Sequence, residues 1–271
     1  MPVARWLAVL SLLALTETGC GAPATPDPFG FDPVKIPPIA APMARMPPGP
    51  LPAAFKLPAG KGPFPAIIVL HGCGGLGPSQ IIWAQRLAGW GYATLIPDSL
   101  TPRDVKRVCE PESQPLVTPW DRVGDVGSAV AWLRTRKEID PARIAVLGLS
   151  HGGTTAMLAT ETIYEKFRLR AAIDFYGPCV DPAAHGTVPL FVAAGELDDW
   201  GDPALRCKAF AAAMRPAQVV EVHVYPGAYH AFDNPNITHA VVDGHILEYD
   251  PAAAAKSYGR VHDFLDRWVK R

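Results

Sequence analysis

Ile144-Ala145-Val146-Leu147-Gly148 is an unbroken apolar run that ends in a glycine-rich turn, Leu149-Ser150-His151-Gly152-Gly153, followed by small residues at helical spacing. A strand with no polar alternation has to be covered on both faces, which requires helices above and below a mostly parallel sheet. The same grammar recurs along the chain. An apolar run at Ala66–Leu70 and the strand-like segments Tyr92–Ile96, Ala171–Tyr176, Leu190–Ala194 and Val219–Tyr225 predict further strands. Helical patterns lie between them at 81–89, 121–135, 154–160 and 203–214, with a last amphipathic helix over 252–269. Alternation of this kind predicts an α/β fold with a doubly wound, mostly parallel sheet, whose functional groups gather at the carboxyl ends of the strands.

The segment before the first strand has a different character. Arg5, the apolar run Trp6–Leu15 and the small and polar residues that follow read as an export signal over residues 1–20. Cys20 after Gly19 is a candidate lipidation site, with cleavage near Ala22-Pro23-Ala24 as the alternative. Residues 21–52, rich in Pro, Ala and Gly, are expected to be an extended linker that spaces or wraps the folded domain, 53–271. The expected location is therefore periplasmic, extracellular or membrane-anchored by a lipid. A net charge of -1 leaves no basic excess for a phosphate backbone, so nucleic acid is not an expected partner. Oligomeric state stays open.

In an oxidising compartment the remaining cysteines, Cys73, Cys109, Cys179 and Cys207, are expected to form two disulfides. The order of elements favours Cys73 with Cys109 and Cys179 with Cys207, since each pair joins neighbouring loops at one end of the sheet. Their wide spacing speaks against a zinc site. No metal, nucleotide or haem motif is present, and no cofactor is expected.

Gly148-Leu149-Ser150-His151-Gly152 matches the Gly-x-Ser-x-Gly nucleophile elbow and sits where that motif must, between a strand and a helix. A serine hydroxyl attacks only if a base takes its proton, a carboxylate orients the base and donors await the oxyanion. In the chain order Ser, acid, His, the base is expected after a late strand, where Pro226-Gly227-Ala228-Tyr229 leads to His230. The other histidines have plainer readings: His223 within a strand, His262 in the final helix, and His185, His239 and His245 in loops. The acid is expected in Gly195-Glu196-Leu197-Asp198-Asp199, with Asp198 preferred over Asp199. Glu196 reads as a solvated charge and Asp202 as a helix start. Backbone N–H groups of Cys73, in the loop His71-Gly72-Cys73-Gly74-Gly75, and of His151 are the candidate oxyanion donors.

With these residues placed, the chain from about Leu51 resembles the dienelactone hydrolase family of α/β hydrolases. The resemblance lies in His71–Gly75, Gly91-Tyr92-Ala93 with Pro97-Asp98-Ser99, Gly148–Gly153, Gly195–Asp199 and Tyr229-His230-Ala231-Phe232. It implies a cofactor-free hydrolase of small-molecule esters or lactones with Ser150, Asp198 and His230 as triad. The family's namesake has a cysteine where this chain has Ser150, and a glutamate where it has Gly72, so the namesake's mechanism and substrate do not transfer. Arg103 is similar in position to a family arginine that binds a substrate carboxylate, with Arg107 as the neighbouring alternative.

Three functions are compatible with these residues: an exported serine esterase or lactonase, a peptidase or polymer-ester hydrolase with the same triad, and a non-catalytic binding protein on the same fold. The second differs from the first only in the pocket built by loops 99–120 and 233–251.

Overall fold

The computed structural model describes residues 29–270. The segment read as an export signal and Cys20 lie outside the described residues. Among the described residues ten strands and five α-helices follow one another, the expected alternation running from β3 to β8 and on to α5, with β1, β2, β9 and β10 not foreseen: β1 (Asp32–Ile36), β2 (Leu51–Lys56), β3 (Phe64–Leu70), α1 (Pro78–Gly89), β4 (Ala93–Pro97), α2 (Pro119–Arg134), β5 (Ile139–Leu149), α3 (His151–Leu158), β6 (Ala172–Phe175), β7 (Leu190–Gly195), α4 (Pro203–Ala212), β8 (Val220–Tyr225), β9 (Ala240–Val242), β10 (His245–Leu247) and α5 (Pro251–Leu265). Eight strands form one sheet in the order β1-β2-β4-β3-β5-β6-β7-β8. From β4 to β8 every neighbouring pair is parallel, and β1 and β2 close one side in antiparallel pairing. This is the α/β-hydrolase fold, with the two-sided cover that the unalternating strands require.

Both faces of the sheet are buried, which is why β3, β5 and β7 are apolar throughout their cores. On one face Ile68, Val146 and Val192 pack with Val126 and Val130 of α2, Met157 of α3 and Phe210 of α4. On the other, Ile67, Leu147 and Phe191 pack with Trp83 and Leu87 of α1 and Val261 and Phe264 of α5. Register brings the strand ends level: Leu70 pairs with Gly148, Leu149 with Phe175 and Gly195 with Tyr225. The loops that follow β3, β5, β7 and β8 therefore open onto one edge.

Residues 29–52 lie against the domain, as the wrapping alternative has it, and add a strand that their composition did not predict. Asp32–Ile36 adds a strand to the sheet, and Phe31, Ile36 and Leu51 are buried. Between them the chain is tied down by Ile39 N–H to Ser128 Oγ (3.0 Å), by Tyr164 Oη to the Pro42 carbonyl (2.7 Å) and by Arg45 to Asp121 (2.5 Å). A few large apolar side chains and one ion pair suffice to dock it, and prolines are tolerated there because the strand lies at the sheet edge. α2 also begins earlier than its apolar pattern indicates. Thr118 caps it, accepting from Asp121 N–H (3.2 Å), with Pro119 at the first helical position and the Asp121 carboxylate returning to Thr118 N–H (2.8 Å).

Candidate active site

Ser150 stands between β5 and α3 with φ +55° and ψ −118°, a conformation that side chains rarely adopt. The turn is so tight that a Cβ on Gly148 would collide with the Gly152 carbonyl, and one on Gly152 would lie 2.5 Å from the His71 carbonyl oxygen. This is the physical content of the two motif glycines: backbone passes where a side chain would have to be. Ser150 N–H donates to the Phe175 carbonyl (2.8 Å), which anchors the elbow to β6. His151 is the first residue of α3, so its N–H lies in the helical turn whose donors have no acceptor within the helix.

Asp198 and His230 meet across two loops. His230 Nδ1 is 2.8 Å from Asp198 Oδ2, with both side chains almost wholly buried. Asp198 Oδ1 accepts from Trp200 N–H (3.0 Å), so the carboxylate is held from both ends. With a carboxylate as acceptor, Nδ1 carries the proton, and Nε2 is the lone-pair nitrogen. The His230 ring is packed between Tyr176 and Trp200, at centroid distances of 4.7 and 5.0 Å, and Trp200 stacks on His245 (4.8 Å). Beneath it, buried Asp233 accepts from Trp83 Nε1 (2.6 Å) and Tyr176 Oη (2.8 Å), while its own carbonyl accepts from Tyr258 Oη (2.7 Å). That network fixes the loop carrying His230.

Ser150, His230 and Cys73 all line one cavity of about 300 Å³. Its walls are largely apolar, with Leu76, Leu149, Tyr176, Trp200, Val242 and Leu247 among them, and Gln80, Asn234 and Arg107 supply polar groups. Cys73 is bonded to Cys109 and Cys179 to Cys207, the pairings expected from the order of elements. The first disulfide, with Val108 N–H to the Cys73 carbonyl (2.9 Å), ties the loop after β3 to the cavity's outer wall. Asp174 lies close to Cys179 and Cys207, but sulfurs joined to each other offer no thiolate to a metal.

Behind the elbow is a cluster that sequence reading did not single out. His71 Nε2 accepts from Ser99 N–H (3.2 Å), so its Nδ1 carries the proton and donates to the Gly72 carbonyl (2.7 Å). Arg122, fully buried on α2, donates through one terminal nitrogen to the His71 carbonyl (2.7 Å) and through the other to His151 Nδ1 (2.8 Å). Burial and the adjacent guanidinium hold His71 well below the usual imidazole range, and the same two causes bring His151 down to about 3, so both rings are neutral. Loss of hydration lowers Arg122 as well, but only to about 10, and it stays charged.

Arg103 is placed differently from its expected role. Its guanidinium grips Asp125 with two bonds of 2.9 Å, donates to the Ser99 and Arg45 carbonyls, and does not line the cavity. A buried carboxylate one helix away captures it, a partner that local sequence does not reveal. Arg107 is the arginine at the cavity, paired with Glu110 (2.8 Å) and Asp243 (2.6 Å). Asp243 and Gly244, both at positive φ, turn the β9–β10 hairpin over the site, a turn that the Asp-Gly pair between Ala240-Val241-Val242 and His245-Ile246-Leu247 could have signalled. The other acids and histidines have separate partners. Asp199 pairs with His245 (3.0 Å), Glu196 accepts from Gly227 N–H (2.9 Å), His239 meets Glu248 (2.6 Å), His185 meets Thr160 (2.6 Å), and His223 and His262 lie against Phe191 and Trp90. Asp202 immediately precedes α4.

Known proteins are similar to this chain in sequence and in fold. A Bradyrhizobium protein named "Probable 2-oxo-3-(5-oxofuran-2-ylidene)propanoate lactonase" is 27% identical over 234 residues, 80% of this chain and 88% of that protein. Among solved structures, a dienelactone hydrolase-like promiscuous phosphotriesterase from metagenomic libraries shares the fold with a TM-score of 0.68 at 22% identity, covering 88% of this chain and 98% of that one. Thermogutta terrifontis esterase 2, phosphoramylated by tabun, shares it with a TM-score of 0.64 at 21% identity, covering 89% and 96%. The model of the dienelactone hydrolase family matches residues 51–269, and with that match spanning most of its length the chain belongs to the dienelactone hydrolase family of hydrolases.

Proposed function

We propose that the protein hydrolyses small carboxylic esters or lactones through a Ser150-His230-Asp198 triad and an acyl-enzyme intermediate. The observation that carries this reading is the Asp198–His230 pair, buried and in the proton arrangement a general base needs, facing the same cavity as the strained Ser150. In the first step Ser150 Oγ attacks the substrate carbonyl and His230 Nε2 takes its proton. The carbonyl oxygen gains a full negative charge, bound by the N–H groups of Cys73 and His151. Collapse expels the alcohol, or opens the lactone ring, with the proton returned by His230. Water then attacks the acyl-Ser150 ester, again with His230 as base, releasing the acid and restoring the serine. Asp198 keeps the ring in its productive tautomer and stabilises the imidazolium.

A cavity of about 300 Å³ is at the small end for ligand sites and favours short acyl groups or single-ring lactones over polymer chains or peptides. Two disulfides support an oxidising location, consistent with export, and a lipid on Cys20 is the proposed form of any membrane attachment. Among the described residues no helix is long and apolar enough to cross a membrane.

The test is hydrolysis of p-nitrophenyl acetate and butyrate, and of a simple lactone, by wild type and Ser150→Ala, with fluorophosphonate labelling followed by peptide mapping. Activity in the wild type alone, with the label on Ser150, is the expected result. Equal rates in both proteins, or a label elsewhere, would overturn the assignment.

A further inference from the structure

We infer that Arg122 is a positioning residue of the oxyanion site, a buried guanidinium that sets the distance between the two backbone segments carrying its donors; this rests on the proposed roles of Ser150, Cys73 and His151. The two segments come from different strands. His71-Gly72-Cys73 follows β3, and Ser150-His151 follows β5, and the ladder between the two strands ends at the pair Leu70 and Gly148. Beyond that pair, Arg122 spans them, with Nη2 on the His71 carbonyl and Nη1 on the His151 ring. Guanidinium nitrogens are held in one rigid plane, so both acceptors are fixed relative to a single group.

The effect reaches the donors through planar peptides. A trans peptide directs its C=O and N–H in opposite senses. The His71 carbonyl is pinned by Arg122, and the Gly72 carbonyl is pinned by the His71 ring, so the Gly72–Cys73 peptide cannot rotate and the Cys73 N–H has one direction. On the other side, the His151 ring held by Arg122 anchors the residue whose own N–H is the second donor.

Arg122 is also placed unlike an arginine kept for stability alone. Among the described residues no carboxylate lies within ion-pair distance of it: the neighbouring Asp125 is engaged by Arg103 through both oxygens, and Nε of Arg122 has no partner. Asp125 and Asp98 interact with its charge across space, so Arg122 acts on the site through the geometry of the two donors, which favours the oxyanion of the transition state over the neutral ester.

The experiment compares wild type, Arg122→Gln and Arg122→Lys on p-nitrophenyl butyrate, and measures inhibition by an alkyl trifluoromethyl ketone, which adds to the serine and places its own oxyanion in the site. For Arg122→Gln, kcat is expected to fall about 10- to 100-fold with KM within about twofold, and inhibitor affinity to weaken in parallel. Arg122→Lys, which keeps the charge but not the fork, is expected between the two. Unchanged kcat and inhibitor affinity, or a change in KM alone, would overturn the inference. Circular dichroism and melting establish that the variants fold. If neither does, His151→Leu carries the test, since it removes the ring acceptor and keeps the backbone donor: a parallel loss in kcat and inhibitor affinity supports the inference and wild-type values overturn it. Ser150→Ala separates the two levels. If it retains activity, the hydrolase mechanism itself fails, whereas an inactive Ser150→Ala beside a normal Arg122→Gln refutes only the role of Arg122.

Discussion

His230 Nδ1 lies 2.8 Å from Asp198 Oδ2, and Asp198 Oδ1 is engaged separately by Trp200 N–H at 3.0 Å. The second bond matters for what a substitution can test. In Asp198→Asn the oxygen can still accept from Trp200, while the amide can present N–H to the ring and force the opposite tautomer. We expect kcat to fall about 10³- to 10⁴-fold with little change in KM. Steady-state kinetics on p-nitrophenyl butyrate check this, and a loss under tenfold would remove Asp198 from the triad.

Asp233 holds the His230 loop from below by accepting from Trp83 and Tyr176. Asp233→Ala leaves two buried donors unsatisfied, which costs about 2–4 kcal/mol. It also frees the Tyr176 ring that packs on His230. Denaturant unfolding is expected to show the stability loss, accompanied by lower kcat at temperatures where the variant remains folded. Wild-type stability would show that another group takes up the two donors.

The Cys73–Cys109 bond joins residues 36 apart and borders the cavity. Removing it by Cys73→Ser with Cys109→Ser releases a loop of that length in the unfolded chain, an expected loss of about 3–4 kcal/mol. Because the Cys73 backbone is a proposed oxyanion donor, kcat should fall as well. Urea unfolding and ester kinetics on the double variant test both, and unaltered kcat would show that the loop keeps its geometry without the bond.

Two buried histidines should make stability decline as pH falls below about 6.5, against an opposite contribution from Glu161, whose carboxyl burial raises to about 7. His151 is brought down to about 3 by burial and the Arg122 charge, and His185 to about 4 by burial. Their unfolded values are near 6.5, so between that pH and their folded values the unfolded chain binds more protons. The stabilisation is complete above about 6.5 and is lost as pH falls toward 4 and then 3, at most about 1.4 kcal/mol per pH unit for each ring. Between pH 7.5 and 5 the urea midpoint should fall more steeply in wild type than in His185→Gln, the comparison setting aside the opposite contribution of Glu161. A variant profile as steep as wild type would show that the His185 ring is not neutral and buried in solution.

The positions proposed for nucleophile, acid and base were legible in sequence because each follows a strand: the cores of β5 before Ser150 and β7 before Asp198 show no polar alternation, while β8 before His230 is a half-buried edge strand in which Glu221 and His223 alternate with valines. Glycines at 148 and 152 report close backbone approach, a constraint that sequence carries directly. The docking of residues 29–52 was not legible, since a Pro-rich stretch with a few large apolar residues looks the same whether it finds a sheet edge or not. Arg103 and Arg107 could not be told apart either. Asp125, on a helix more than twenty residues away, captures the first, and Asp243, on a distant hairpin, draws the second to the cavity. Nor does any local pattern mark Arg122, whose two acceptors belong to the ends of two other strands. What sequence determined was therefore the set of groups that bonding order and strand burial place at one sheet edge. What the tertiary structure alone decided was which charges meet which partners, because ion pairing and hydrogen bonding depend on distances through space that chain separation does not encode.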